Sequence, residues 1–158
     1  MSYYLNGNKY QETNTLDSVI KTYTYNTAGQ LSSESETKNN AAVYSASYTY
    51  TPYGNRAQMS YTSGGTTEVT DYTYDANNRL TNEATSVVGD VKSAIRYYYD
   101  KYGNQVKTET IGDTTLTTQN EYDYLDRVTT ATDARGNSTT YTYNYDGQVL
   151  TETIAAKS

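Results

Sequence analysis

A tyrosine recurs at positions 3, 25, 50, 74, 99, 122 and 143, and each time a residue that tolerates a left-handed backbone stands four places later. Those residues are Gly7, Gly29, Gly54, Asn78, Gly103, Asp126 and Gly147. Glycine adopts positive φ without steric cost, and Asn and Asp do so more readily than other side chains. The intervals between the tyrosines are 22, 25, 24, 25, 23 and 21 residues, the drifting period of a supersecondary unit with variable loops. In five copies another tyrosine lies two places earlier: Tyr23 and Tyr25, Tyr48 and Tyr50, Tyr72 and Tyr74, Tyr97 and Tyr99, Tyr141 and Tyr143. Asn120 takes that place before Tyr122, and Met1 before Tyr3 in a truncated first copy. Directly after the frame tyrosine come Asn26, Thr51, Asp75, Asp100, Asp123 and Asn144, with only Tyr4 breaking the polar pattern. Such side chains accept a hydrogen bond from the backbone two residues on and start a turn. The single proline, Pro52, has the fixed φ that suits the first central position of a type I turn. A new strand then opens at Leu31, Leu80, Val106, Val128 or Val149.

A second turn signal falls midway: Gly64 and Gly65, Gly89 and Asp90, Gly112 and Asp113, Gly136 and Asn137, all pairs favoured in two-residue hairpins. At Gly89 and Asp90 such a hairpin would set Val88 against Val91 and Leu80 against Tyr99. The unit is therefore two antiparallel strands, and the chain holds about a dozen. Of the two kinds of turn, Gly103 is expected to be more sensitive to substitution by valine than Gly65. Composition agrees with this all-β reading. Of 158 residues, 21 are Tyr and 29 are Thr, with no Phe and no Trp. These are strand formers with polar tips, suited to a sheet wet on both sides and unsuited to a thick dry core. Tyrosines at i and i+2 share a strand face, so their rings are expected to stack in rows from repeat to repeat. Each repeat then draws its partners from its neighbours, over one array spanning residues 1–158 whose first and last copies are partial.

The pattern Tyr, any residue, Tyr, Asp or Asn, two residues, Gly, then Arg, Asn or Gln and an aliphatic resembles the YD repeat of the Rhs family. The resemblance rests on Tyr72 to Leu80, Tyr23 to Leu31, Tyr97 to Val106, Asn120 to Val128 and Tyr141 to Val149. Asp133 to Tyr143 also resembles the family's linker between copies, with Ala134 where a proline is common. The resemblance covers essentially the whole chain. It implies an antiparallel ribbon curling into a β-solenoid or hollow shell, as in bacterial polymorphic toxins, insecticidal Tc complexes and teneurins, where the shell encloses or displays a toxin or presents an adhesive surface. A secreted or cell-surface parent follows from it. The self-cleaving element and variable toxic domain of the toxin members are not found in this sequence, so the expectation is a stretch of shell without catalytic payload.

Candidate chemistry is sparse. With no Cys and no His, thiol nucleophiles, disulfides, the usual zinc sites and imidazole acid–base catalysis are excluded. Asp75, Asp100 and Asp123 recur once per repeat at the turn, which favours capping over a glycosidase pair. Arg56, Arg79 and Arg127 are expected to pair with carboxylates on the surface. No enzyme activity, cofactor or metal is expected, as no copy has the oxygen-ligand run of a calcium loop. Asn137, Ser138 and Thr139 form a glycosylation sequon. A net charge of −6 argues against nucleic acid. No run approaches the roughly 18 apolar residues of a membrane span. The partners expected are neighbouring repeats of a parent protein or its enclosed C-terminal domain, and further copies through open sheet edges. The alternative is a binding module that recognises glycan through exposed tyrosines, with Tyr97, Tyr98, Tyr99 and Tyr102 as the densest group.

Overall fold

In the computed structural model, which describes residues 1–87 and 90–157, the chain is all-β. The described residues form fourteen strands where about a dozen were expected. They are β1 (Ser2–Tyr3), β2 (Lys9–Asn14), β3 (Val19–Tyr25), β4 (Leu31–Lys38), β5 (Ala41–Tyr50), β6 (Arg56–Ser63) and β7 (Thr66–Tyr74), followed by β8 (Leu80–Val87), β9 (Asp90–Tyr99), β10 (Gln105–Ile111), β11 (Thr115–Tyr122), β12 (Val128–Thr132), β13 (Ser138–Tyr143) and β14 (Val149–Ala155). Within each unit the strands follow one another across the sheet in chain order. The chain divides into two compact units, Met1–Thr73 with Ala84–Lys92, and Tyr74–Glu83 with Ser93–Ser158.

Within the first unit, β1 to β7 pair antiparallel, each with the next. Within the second, β9 to β14 do the same. The register slips by one residue just after most of the repeat turns. Tyr25 faces Leu31 but Thr24 faces Ser33, Tyr50 faces Arg56 but Thr49 faces Gln58, and Tyr143 faces Val149 but Thr142 faces Thr151. The same bulge follows Tyr3, Tyr99 and Tyr122. Each extra residue bends its strand and raises the local twist. A recurring bulge puts the same bend into each repeat.

The intervening turns vary. Gly64 and Gly65 make a two-residue hairpin with φ of 58° and 80°, closed by Ser63 facing Thr66. Gly65 therefore shares the left-handed torsion of Gly103, and the expected contrast between them does not hold on backbone grounds. Asn39 and Asn40 form another such hairpin, with φ of 51° and 62°. Gly112 and Asp113 do not form a two-residue turn. Ile111 faces Thr115 across three residues, and the Gly112 N–H donates to Thr114 O at 3.2 Å. The pair Gly136 and Asn137 likewise belongs to a longer turn, described below. The hairpin at Gly89 and Asp90, with Val88 facing Val91, lies outside the described residues.

There is little core. Among the described residues only Ala46, Ala94 and Thr70 are buried, and no large side chain is fully so. The frame tyrosines after Tyr3 are half-buried, and residues between paired tyrosines, such as Thr24, Thr49 and Thr142, are exposed. On that wetter face, hydroxyls pair across strands: Thr22 with Ser35 at 2.6 Å, Thr62 with Thr67 at 2.8 Å, Thr142 with Thr151 at 2.6 Å.

Candidate functional site: the repeat turns and their tyrosines

Eight turns among the described residues share one hydrogen-bond frame. The first residue's N–H donates to the fifth residue's carbonyl at 2.7–2.9 Å, and the fourth residue's N–H to the first residue's carbonyl at 2.9–3.2 Å. The fourth residue is left-handed in every case. Gly7, Gly29, Gly54, Asn78, Gly103, Asp126 and Gly147 have φ between 59° and 104°, and Gly136 has 86°. That eighth turn, Asp133–Asn137, joins β12 to β13, whereas the other seven join odd strands to even ones. The sequence frame missed it because Thr132 stands in the tyrosine's place; the spacing Asp, two residues, Gly, Asn is the signal that finds it.

The polar first residue closes the turn with its side chain. Asp75 Oδ1 accepts the N–H of Asn77 and of Arg79, both at 2.9 Å. Asp100 Oδ1 accepts three, from Tyr102, Gly103 and Asn104, at 2.8, 2.8 and 2.9 Å. Asn26 and Asp123 follow the same plan, and Thr51 Oγ1 accepts the Asn55 N–H at 3.2 Å. These donors favour the ionised carboxylate. The Arg79 N–H and guanidinium hold Asp75 below the usual carboxylate range. The Arg127 guanidinium is the main cause for Asp123, and the Asn137 side chain for Asp133. Burial opposes ionisation of Asp100, but the donors led by Asn104 outweigh it and its value is also lowered.

In four of these turns the fifth residue reaches the next turn that joins an odd strand to an even one. Gln30 Nε2 donates to Gly54 O at 3.0 Å, Asn104 Nδ2 to Asp126 Oδ1 at 2.7 Å, and Arg79 Nη1 and Arg127 Nη1 to Asp100 O and Asn144 O, both at 3.4 Å. A Cβ on the left-handed glycine of the next turn would meet it at ordinary contact distance, 3.5 Å from Gln30 Nε2 at Gly54 and 3.6 Å from Arg79 Nη1 at Gly103. Arg79 and Arg127 are not the loose surface pairs expected of them. Each binds its turn aspartate at 2.6 Å, is about three-quarters buried, and covers a tyrosine ring.

The tyrosines act through their hydroxyls. Tyr25 donates to Lys9 O at 3.0 Å, Tyr50 to Leu31 O at 2.6 Å, Tyr99 to Leu80 O at 2.8 Å, Tyr122 to Gln105 O at 3.0 Å and Tyr143 to Val128 O at 2.5 Å. In each case the acceptor opens the even strand of the preceding repeat. The earlier tyrosine of a pair points to a carboxylate instead: Tyr48 donates to Glu34 Oε1 at 2.8 Å and Tyr97 to Glu83 Oε1 at 2.7 Å. Burial, with the neighbouring glutamate second, pushes both phenols up to about 12. Ring stacking from repeat to repeat is not how the rings at Tyr48, Tyr99 and Tyr143 are covered. Guanidinium groups of Arg56, Arg79 and Arg127 lie over them, 4.4–4.5 Å from the ring centres. Tyr3 makes no rung of this kind; it is exposed, with its hydroxyl 3.7 Å from Met1 Sδ. Tyr72 and Tyr74 sit half-buried on β7, and Tyr141 on β13.

Comparison with known proteins bears on this repeated turn and rung: the sequence profile of the teneurin YD-shell matches residues 2–156. The chain belongs to the YD-shell family. No curated protein matches it in sequence. Among solved structures, the crystal structure of TcdB2-TccC3 superposes with a TM-score of 0.77 at 20% identity, over 96% of this chain and 9% of that one. The TcdB2-TccC3-TEV crystal structure gives 0.76 at 19% identity, with the same coverage. A Tc holotoxin pore of Photorhabdus luminescens gives 0.75 at 20% identity, over 95% of this chain and 8% of that one. The YD-shell segment described here thus spans under a tenth of the length of these structures, and the likeness is one of fold. It is a structural module of the shell type.

Proposed function

We propose that this chain is one stretch of the wall of a closed YD shell that encloses or displays a toxin or adhesive domain in an extracellular protein. The observation that carries the reading is the run of inter-repeat bonds. Tyr25, Tyr50, Tyr99, Tyr122 and Tyr143 bond to the preceding repeat, Gln30, Arg79, Asn104 and Arg127 reach a following one, and Asp75, Asp100 and Asp123 accept backbone donors at the turns. Those groups hold a sheet together, and the module works as structure. In this reading residues 1–158 form a single array. The tyrosines and turn residues Tyr25, Tyr50, Tyr99, Asp75, Asp100 and Asp123 are its architectural positions, and the partners are adjoining parts of the same shell.

Electron microscopy of the complete natural protein tests this. The expected image is a hollow particle with this segment in its wall and internal density for the cargo. A solid particle, or a segment projecting free of any shell, contradicts it.

A further inference from the structure

The turns that join odd strands to even ones all lie at one end of the antiparallel strands. In the second unit three of them follow in succession: Asp100–Asn104, Asp123–Arg127 and Asn144–Gln148. Their second or third positions hold Tyr102, Tyr124, Leu125 and Tyr145, exposed by 72%, 89%, 53% and 103%. Backbone groups and the first residue's side chain close these turns, so the exposed rings are not needed to form them. In the first unit the matching row is broken, because the turn between those of Leu5 and Tyr53 carries Thr27 and Ala28 instead. Successive turns of the row are two strands apart, about 9.6 Å. Their neighbours fix them: Asn104 Nδ2 donates to Asp126 Oδ1 at 2.7 Å, and Arg127 Nη1 to Asn144 O at 3.4 Å. Charge is graded along the row. Lys101 Nζ stands 4.7 Å from the Tyr102 ring centre at one end, while exposed Asp126 and Asp146 flank Leu125 and Tyr145 towards the other.

We propose that this rim docks a proline-rich segment of a partner protein in the polyproline II conformation, with one proline over each turn and basic residues at the Tyr145 end. A polyproline II helix repeats its face every three residues at about 3.1 Å each, or about 9.3 Å. That matches the spacing of the turns to within about 0.3 Å, so seven residues reach from the first turn to the third and present the same face to each. Other segments fall out of step. A strand repeats its face about every 6.8 Å, and two turns of α-helix advance about 10.8 Å. Exposed aromatic rings suit the apolar proline ring, and a preformed polyproline helix loses little entropy on binding them. Asp126 and Asp146 attract a basic terminus, which Lys101 repels from the opposite end. The proposal rests on the fold of the second unit and not on the shell reading.

The test titrates the full chain with decaproline carrying a pair of arginines at one end, made in both chain directions, following the backbone amides of Gly103, Asp126 and Gly147 by NMR. Saturable shifts at all three turns are expected at sub-millimolar peptide in at least one direction. Tyr102→Ala, Tyr124→Ala and Tyr145→Ala should each weaken binding about fivefold, in line with the loss of one aromatic contact. The unfolding midpoint should hold in each, because the rings are exposed. Asp126→Asn combined with Asp146→Asn should weaken binding of the arginine peptide and leave that of plain decaproline unchanged. The proposal is overturned by an absence of shifts in both directions, by equal binding of a glycine–serine peptide with the same arginines, or by undiminished binding in Tyr124→Ala. It is overturned too if the same shifts appear when the chain alone is concentrated, which would make the row a contact between copies.

Discussion

Replacing a rung tyrosine by phenylalanine isolates the hydroxyl. In Tyr50→Phe and Tyr99→Phe the ring remains, and so does the Arg79 guanidinium over Tyr99; what goes is the bond to Leu31 O at 2.6 Å or to Leu80 O at 2.8 Å. A hydrogen bond of this kind contributes about 0.5–1.5 kcal/mol net, and a half-buried carbonyl left without it belongs at the upper end, so each variant should lose about 1 kcal/mol. Consecutive rungs within a unit are two strands apart, about 9.6 Å, far enough for the losses to add. Phenylalanine at Tyr25, Tyr50, Tyr99, Tyr122 and Tyr143 together should then remove about 5 kcal/mol, a large share of a typical domain's 5–15 kcal/mol. The assay is urea unfolding followed by circular dichroism, with amide exchange as a local readout because repeat arrays need not unfold in one step. Tyr53→Phe and Tyr145→Phe serve as controls, since those rings are 83% and 103% exposed and such changes fall within about 0.5 kcal/mol. If Tyr50→Phe and Tyr99→Phe are indistinguishable from the controls, the rung contributes nothing and the reasoning fails.

Gly103→Ala should cost about 1–2 kcal/mol from its φ of 104°, since the neighbouring Arg79 Nη1 is at ordinary contact distance. Gly112→Ala, with no left-handed torsion and open space around it, should be neutral or stabilising by up to about 1 kcal/mol; equal losses in denaturant titrations would contradict the assignment. The turn carboxylates Asp75, Asp100, Asp123 and Asp133 have lowered values in the fold, so their contribution is complete above the ordinary value of 3.8 and is lost as pH falls through the folded values. Combining Asp75→Asn, Asp100→Asn and Asp123→Asn, which keeps an Oδ1 acceptor as at Asn26, should flatten the acid limb of a stability profile; an unchanged limb counts against the turn bonds. Tyr48 and Tyr97 are raised from 10 to about 12, so stability should fall as pH climbs between those values, and less steeply in the double phenylalanine variant; equal slopes would show that these phenols do not titrate differently on folding.

The left-handed positions could be read from sequence because few residue types tolerate the torsion, so Gly, Asn or Asp at one offset from a tyrosine marks it seven times. Where the tyrosine is missing, as before Asp133, the pair Gly136 and Asn137 reads as a two-residue hairpin, and nothing in the repeat frame marks the consecutive asparagines at 39 and 40 although each tolerates positive φ. What the period did not convey was the bulge. One extra residue after a turn shifts the next strand against its neighbour, and that offset decides whether a ring meets another ring or a carbonyl and a guanidinium. The depth of Arg79 and Arg127 was hidden for a related reason. A charged residue beside a turn reads as solvated until the following turn is known to lie within reach of it.

The central claim is that polar bonds between repeats, and not an apolar core, hold this chain together. Calorimetry tests it through the heat-capacity change of unfolding. An ordinary globular protein of this length would give about 1.9–2.4 kcal/mol/K, from about 12–15 cal/mol/K per residue. With only Ala46, Ala94 and Thr70 buried among the described residues, the value should fall below about 1.5 kcal/mol/K. A value at or above the globular range would mean that a substantial apolar interior is exposed on unfolding, and would contradict the account.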